Sequence, residues 1–514
     1  MEDKLMTYFS RFYTISSLLI GVLIVVYLLP IWLFDYFPTQ DGVSHVYNSQ
    51  IITKYKNPTY QFQDYYDINW FPFPNWLSHF SLAVLMFIFK PLTAEKVFLS
   101  LYVILFPLAI CYFLNAVQPG RDSLVILSFT FIFNYLLLMG FYNFAVSVPL
   151  FFLALGFWWK HRDALTIKRI VLLNLLIIII YFAHLISYAF ILFSIALLSV
   201  VYFRQNLKQI LITGCAVLPA ALLLLIYLPT SDLLAGEPPE IELGRIGGLL
   251  KNIVGMRVLV AYSEHQAWIA YTVFAFLLFL SIWTFWQNRK TSITPQIGQD
   301  AFLILFAVFF GLYLILPNSI GPGGWVNDRL AILAMLLIFA CFKLSDNLRW
   351  RQVFTGVVTV LVLVNIVYVG ILCKNLNREL DAFNAFVDKV EKNSVILPLQ
   401  FEPSGESLRV GIFVNAANYY CLDNGCINLG NYEVQFDYFP IRFKPDFETP
   451  IDEKEWVQTV HWRAEKIDLC DYADNVDYLL LWGTPNKEKV AEEIDRCYTL
   501  ISSEGRLKLF RGTR

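Results

Sequence analysis

The chain has 514 residues, 57% of them hydrophobic and 16% charged, with a net charge of −2. A soluble protein of this size carries about 25% charged residues, so the composition excludes an ordinary soluble enzyme. The near-zero charge also offers no polybasic surface for nucleic acid. Charge is unevenly spread, because 41 of the Asp, Glu, Lys and Arg residues follow Cys373, about half of them all. That asymmetry predicts two regions in different solvents, residues 1–373 in lipid and residues 374–514 in water.

The N-terminus carries Lys4 and Arg11 ahead of an apolar run without a small-residue cleavage site after it, which reads as an uncleaved first span. A span needs about 20 apolar residues. Candidate stretches lie at 15–33, 76–90, 97–117, 122–139, 141–158, 168–183, 185–203, 209–228, 266–286, 300–316, 327–344 and 351–373. Basic loops set the orientation. Lys4 and Arg11 place the N-terminus inside, and loops at Lys160–Arg169, Arg204–Lys208, Arg289–Lys290 and Lys343–Arg351 also fall inside. The C-terminal region then lies outside, which requires an odd number of crossings. Twelve stretches do not give one, so a run between residues 75 and 160 is a partial or re-entrant helix, with 76–90 and 122–139 the short candidates. The expected fold is mainly α: a polytopic helical membrane protein of about 11 spans with a small C-terminal extracytoplasmic α/β domain. Non-helical backbone at membrane depth survives where protein or a watery cavity satisfies it, so the parity conflict points to a cavity.

The first outer loop, residues 35–75, opens with Phe37-Pro-Thr-Gln-Asp-Gly-Val-Ser-His-Val-Tyr-Asn48. In a helix starting near Asp41, the residues Asp41, His45 and Asn48 share one face at i, i+4 and i+7. Asp41 suits a general base, since apolar surroundings raise a carboxyl pKa. His45 suits orienting that carboxylate or binding phosphate. The structural alternative is that Asp41 caps the helix in an Asp-Gly turn. Asp64 and Asp67, in the same loop, are candidates for a second carboxylate.

Further polar residues recur at outer span ends: His79, Asn143 in Gly140-Phe-Tyr-Asn143-Phe, and His184. Groups at membrane depth are functional candidates, or satisfied interhelical hydrogen bonds. His45, His79, His184 and His265 are four of the six histidines, all expected on the outer side. A divalent metal at Asp41 and His45 is compatible with these residues, but no His-x-x-x-His pair is present and no metal is assigned. The second outer loop, 229–265, contains Glu-Pro-Pro-Glu and a Gly-Gly pair. A third, Pro317-Asn-Ser-Ile-Gly-Pro-Gly-Gly-Trp-Val-Asn-Asp-Arg329, sets Arg329 at a span end, where it either pairs with a phosphate or snorkels beside Asp328.

After Cys373 a helical stretch, residues 374–392, is expected near the membrane surface. Strands are expected at 394–399, 409–413 and 477–482, and a helix near 486–497. Cys421, Cys426, Cys470 and Cys497 allow two disulfides, with Cys421–Cys426 and Cys470–Cys497 the suggested pairs, although spacing cannot fix connectivity. No Walker loop, dinucleotide-binding glycine pattern or Gly-x-Ser-x-Gly elbow occurs, which excludes several nucleotide and serine-hydrolase classes.

The string Asp41-Gly-Val-Ser-His45-Val-Tyr-Asn48, together with Gly140-Phe-Tyr-Asn-Phe144 and Gly323-Gly-Trp-Val-Asn-Asp-Arg329, resembles segments of the GT-C superfamily of membrane glycosyltransferases, in particular bacterial members of uncertain substrate. The resemblance covers roughly residues 10–373. It implies sugar transfer from a polyprenyl-phosphate carrier to a glycan, lipid or protein acceptor at the outer face of the inner membrane. It also implies Asp41 as the essential acidic residue, Arg329 as a phosphate contact, and His45, Asn143 and His184 as further substrate-binding candidates. Many members carry a paired acidic motif where Gly42 follows Asp41 here, and this departure leaves metal dependence open. The rival readings are a transporter of lipid-linked sugar and a non-catalytic subunit of a larger assembly with partner subunits.

Overall fold

A computed structural model describes residues 2–119, 122–230, 243–290, 297–320, 323–345, 347–445, 447 and 463–512. The Glu-Pro-Pro-Glu run of the second outer loop lies outside them, as does the Gly321-Pro322 pair. The chain is mostly helical with a small C-terminal sheet region. Among the described residues, six helices are long and apolar enough to cross a membrane: Pro91–Val117, Tyr142–His161, Leu185–Phe203, Leu207–Tyr227, Gln266–Asn288 and Leu348–Lys389. Shorter apolar helices occupy Ser16–Trp32, Trp76–Leu85, Ser123–Leu138 and Asp300–Ile315.

Both short runs between residues 75 and 160 are incomplete as helices. The Trp76–Leu85 helix has 10 residues, about 15 Å of rise, half the thickness of a hydrocarbon core. The 122–139 run is broken into Asp122–Ser128, a 3-10 turn at Phe129–Phe131 and Tyr135–Leu138. Asn134 serves the break: its Oδ1 accepts from the N–H groups of Leu136 and Leu137 at 3.0 and 3.1 Å, and its Nδ2 donates to the Phe131 carbonyl at 2.9 Å. These three backbone groups, which a continuous helix would have bonded, are thereby satisfied by one side chain.

Contacts divide the chain into two compact units. The first comprises residues 1–29, 100–137 and 143–370; the second comprises 30–99, 138–142 and 371–514. The composition boundary at Cys373 thus separates the tail from most of the helices, but the contacts group the first outer loop with the tail.

In the first unit, Pro219 interrupts the helix Leu207–Tyr227. Asn174, on the helix Ile167–Ala183, inserts its amide at that point. Its Nδ2 donates to the Ala216 carbonyl at 2.7 Å, and its Oδ1 accepts from the Ala220 N–H at 2.9 Å. The side chain therefore replaces the Ala216–Ala220 backbone bond with a bridge between helices, which is how a proline is tolerated where water is absent.

The second unit contains a five-stranded sheet of order β3-β2-β5-β7-β6, with β2 Val395–Gln400, β3 Ile427–Asn428, β5 Tyr478–Trp482, β6 Tyr498–Glu504 and β7 Leu507–Gly512. Strands β2 and β5 pair in parallel and are buried along their whole length. A continuous apolar run, rather than alternation, is what such a strand requires. Pro398 cannot donate to a ladder, and β3 pairs with β2 at Val395 and Ile396 alone, ending before the proline is reached. A two-stranded ribbon joins β1 Tyr66–Ile68 to β4 Ile441–Phe443, tying the first outer loop to the tail.

Three tail expectations change. Residues 409–413 form turns, because the Phe413 N–H goes to the Pro403 carbonyl and Val410 N–H to the Ser407 hydroxyl instead of to a neighbouring strand. The helical stretch after Cys373 continues the helix Leu348–Phe383, 36 residues long, so its final turns extend the last span. A disulfide links Cys470 and Cys497 across 27 residues, whereas Cys421 and Cys426 are buried free thiols. Gly425, at φ +67°, turns the chain between them, and the Cys426 thiol donates to the Tyr420 carbonyl at 3.2 Å.

Replacing Asn174 with Leu strands the Ala216 carbonyl and Ala220 N–H away from water. The expected cost is about 1–3 kcal/mol, seen as a lower unfolding temperature in detergent. Replacing Gly214 with Ala, where an added Cβ meets nothing within 4 Å, leaves it unchanged.

Candidate functional site

The helix Gly42–Lys54 is buried over its first ten residues, although half of those side chains are polar. Buried polar groups need partners, and this helix finds them in the tail. Asn418 Nδ2 donates to the Ser44 hydroxyl at 2.8 Å. Asn48 and Asn431 exchange reciprocal amide bonds of 3.1 and 2.7 Å. Tyr47 donates to the Cys426 carbonyl at 2.6 Å.

Asp41 stands at the N-terminus of this helix, but its side chain makes no capping bond. Oδ1 instead accepts from Asn415 Nδ2 at 2.9 Å and from Gln40 Nε2 at 3.2 Å. The carboxylate is 6% exposed. Burial pushes its pKa from 3.8 to about 7, opposed by the charge of His45 and the Gln40 bond and assisted by the charge of Glu433.

The backbone around Asp41 is held by the Gly140 segment. Gln40 and Asp41 donate their N–H groups to the carbonyls of Leu138 and Met139 at 3.2 and 3.1 Å. Gly140 sits at φ +85°, and a Cβ there would lie 2.5 Å from Gly42 N and 2.6 Å from Asp41 N. Gly42 is equally confined, since a Cβ would meet Thr39 Oγ1 and the Tyr142 hydroxyl at 2.2 Å. The Asp-Gly and Gly-Phe-Tyr motifs are therefore two sides of one backbone contact, and both glycines are required by space. Tyr142 donates to Glu95 Oε1 at 2.6 Å and lies 3.3 Å from the Thr39 hydroxyl.

One turn beyond Asp41, His45 Nδ1 lies 2.8 Å from Glu433 Oε1, and His79 Nε2 lies 2.7 Å from Glu433 Oε2. The two ring nitrogens are 3.2 Å apart. Glu433 has no solvent exposure. Burial by itself raises its pKa, but the charges of His79 and His45 outweigh burial and hold the carboxyl down at about 2. Glu433 was not visible in the sequence as a site residue. It is a single acid in a polar tail, and no local motif marks it.

The expected second carboxylates are not part of this arrangement. Asp64 and Asp67 are exposed, and Asp67 sits on β1 opposite Arg442 of β4. Burial instead selects Glu433 and Glu95 from outside the 35–75 loop.

In the first unit, the Arg329 guanidinium lies 5.6 Å from the centre of the Phe144 ring. That ring meets His184 edge-on at 5.3 Å. Arg329 donates to the Gly324 carbonyl, His184 Nδ1 accepts from the Ile186 N–H at 3.2 Å and so caps the helix Leu185–Phe203, and Asn143, next to Phe144, is buried. Asn327 donates to the Tyr313 carbonyl at 2.7 Å and accepts from Arg245 at 3.3 Å. Arg245 is a second cation that sequence reading missed.

No family model matches the chain, and no curated protein matches it. Among solved structures, it is similar to the Archaeoglobus fulgidus oligosaccharyltransferase, solved with a tethered acceptor peptide containing the NVT sequon. The likeness has a TM-score of 0.44 and 11% identity, over 99% of this chain and 75% of that one.

Two expectations concern this site. Gly140→Ala forces both a positive φ and a backbone clash, costing at least about 2 kcal/mol, so its unfolding temperature falls while that of Gly21→Ala, in open space, does not. The second concerns Asp41, which ionises near 3.8 when unfolded and near 7 when folded. Between these values the folded chain retains a proton that the unfolded chain releases. Stability is therefore eroded as pH rises through this window, by up to about 1.4 kcal/mol per pH unit. Asp41→Asn removes the erosion: its unfolding temperature should match wild type near pH 4 and exceed it increasingly up to pH 8. A pH-independent difference would contradict the buried, neutral carboxyl.

Proposed function

We propose that this protein is a membrane glycosyltransferase of GT-C type, moving a sugar from a polyprenyl-phosphate carrier to an acceptor at the extracytoplasmic face, with Asp41 as general base. The observation that carries this reading is the state of Asp41. Its carboxylate is released from capping, oriented by Asn415 and Gln40, and poised near neutrality. A base whose pKa lies near the working pH is the most effective proton acceptor. Asp41 stands where the resembled superfamily keeps its essential acid.

In this mechanism Asp41 takes the proton of the acceptor hydroxyl or amide as it attacks the anomeric carbon. The bond to the carrier phosphate oxygen breaks, the anomeric centre inverts, and the phosphate leaves as an anion. Arg329 is the proposed phosphate contact, with His184 and Asn143 beside it. The guanidinium's position over Phe144 keeps its planar fork ordered for bidentate binding. His45 acts on Asp41 through charge. The Cys470–Cys497 bond supports an oxidising, extracytoplasmic setting for the tail.

The test is transfer of radiolabelled sugar from membrane carrier lipid by purified protein. Asp41→Asn should lower turnover by about 10²–10⁴-fold with no loss of thermal stability. Arg329→Lys should chiefly raise the KM for the carrier. Full turnover by Asp41→Asn would overturn the assignment and favour a non-catalytic role.

A further inference from the structure

The cluster of His45, His79 and Glu433 has a geometry that ion pairing alone does not account for. Three donor atoms, His45 Nδ1, His79 Nε2 and a Glu433 carboxylate oxygen, converge within 4.8 Å of one another, all on buried side chains. The separations of 2.7, 2.8 and 3.2 Å resemble those between neighbouring ligands of a small cation. Donors about 2.0–2.1 Å from a tetrahedral zinc stand about 3.3 Å apart, and a carboxylate oxygen brings the edge in further.

Two details point to a ligand. First, Glu433 Oε1 is buried and accepts no hydrogen bond, even with His45 Nδ1 at 2.8 Å. The ring nitrogen is close but not aligned as a hydrogen-bond donor. A fully buried carboxylate oxygen in that state is costly unless a further partner takes up its lone pairs. Second, the far nitrogen of His79, Nδ1, lies 3.3 Å from the Asn75 carbonyl, an acceptor that calls for a proton on Nδ1. With Nδ1 so engaged, Nε2 is the nitrogen that faces Glu433 Oε2, 2.7 Å away. A backbone carbonyl behind a ligating imidazole is the usual means of fixing its tautomer. Asn75 occupies the left-handed region at φ +75°, at the start of the helix that carries His79.

We propose that His45, His79 and Glu433 form a binding site for one divalent transition-metal ion, with zinc the best-matched by its two imidazoles and one carboxylate. Three protein ligands leave a coordination position for water or an oxygen of a bound molecule, the pattern of a chemically active site rather than a closed structural one. The ion would sit one helical turn from Asp41. Both His45 and Glu433 already act on the Asp41 carboxyl through charge. The site stands on its own geometry, and its test requires neither a substrate nor sugar transfer.

The test is metal counting on the full chain in detergent. Protein stripped with chelator and dialysed is titrated with Zn²⁺ and assayed by mass spectrometry of elements. Co²⁺ is then added as a spectroscopic probe, with visible d–d bands reporting nitrogen and oxygen ligation. The expected result is one tightly held equivalent per chain, with the bands of a low-coordinate nitrogen/oxygen site. Binding should fall at least tenfold in Glu433→Gln and in His79→Gln, and Zn²⁺ should raise the unfolding temperature of wild type. The double variant Cys421→Ser/Cys426→Ser should bind as wild type does, which separates this site from the free thiols. Wild-type protein that takes up no stoichiometric ion, or an ion retained in both Glu433→Gln and His79→Gln, overturns the proposal. If either variant fails to fold, the wild-type titration alone decides, because the absence of binding there is sufficient refutation.

Discussion

The second unit depends on a helix that is buried and polar at once. From Asp41 to Asn48 the Gly42–Lys54 region presents a carboxylate, a hydroxyl, an imidazole and an amide to the protein interior. Water cannot satisfy them, so each must meet a complementary group from the chain. The tail supplies Asn415, Asn418, Glu433 and Asn431 in turn. This requirement explains why the tail is more than an appendage: residues 415–433 complete the helix. It also explains the order of that segment, in which turns and short elements outnumber regular strands. The backbone there follows the spacing of polar partners along the helix.

Satisfaction differs along the helix in a way that sorts structure from chemistry. The Asn48–Asn431 pair is closed, with both amides matched. The Ser44–Asn418 pair extends to Asn428 at 2.7 Å and is likewise saturated. Around Glu433 the matching is incomplete, because one of its oxygens lacks a hydrogen bond, and the Asp41 carboxyl carries a proton or a charge according to pH. Groups of these two kinds are where a substrate, a proton or an ion has room to act. In the first unit Asn174 is fully used in repairing a proline break, whereas the Arg329 guanidinium stands over the Phe144 ring, which also meets His184.

Much of this was written in local sequence. Charge depletion before Cys373 marks the apolar helices. The runs at 394–399 and 477–482 are apolar because a parallel strand covered on both faces has no wet side. The Asp-Gly-x-x-His-x-x-Asn spacing states that Asp41, His45 and Asn48 share a helix face, since 3.6 residues per turn allows nothing else. The hairpin of β6 and β7 was not legible, because Tyr498–Glu504 alternates weakly and is exposed over most of its length. The turns at 409–413 looked like a strand because apolar content alone does not reveal where hydrogen bonds go.

The sequence by itself determined the apolar helices that precede Cys373 and the helix face that carries Asp41, His45 and Asn48. These follow from composition and periodicity, which are local. It did not determine which residues face that helix. Asn415 and Glu433 lie more than 370 residues from Asp41 and His45, and no short-range rule links positions so far apart. Tertiary structure alone decided that Glu433 and Glu95 are buried while Asp64 and Asp67 remain exposed, and that His45 and His79 converge on one carboxylate. The physical reason is that burial is a property of the packed chain: the same side chain is a solvated surface acid or a potential ligand according to what closes over it.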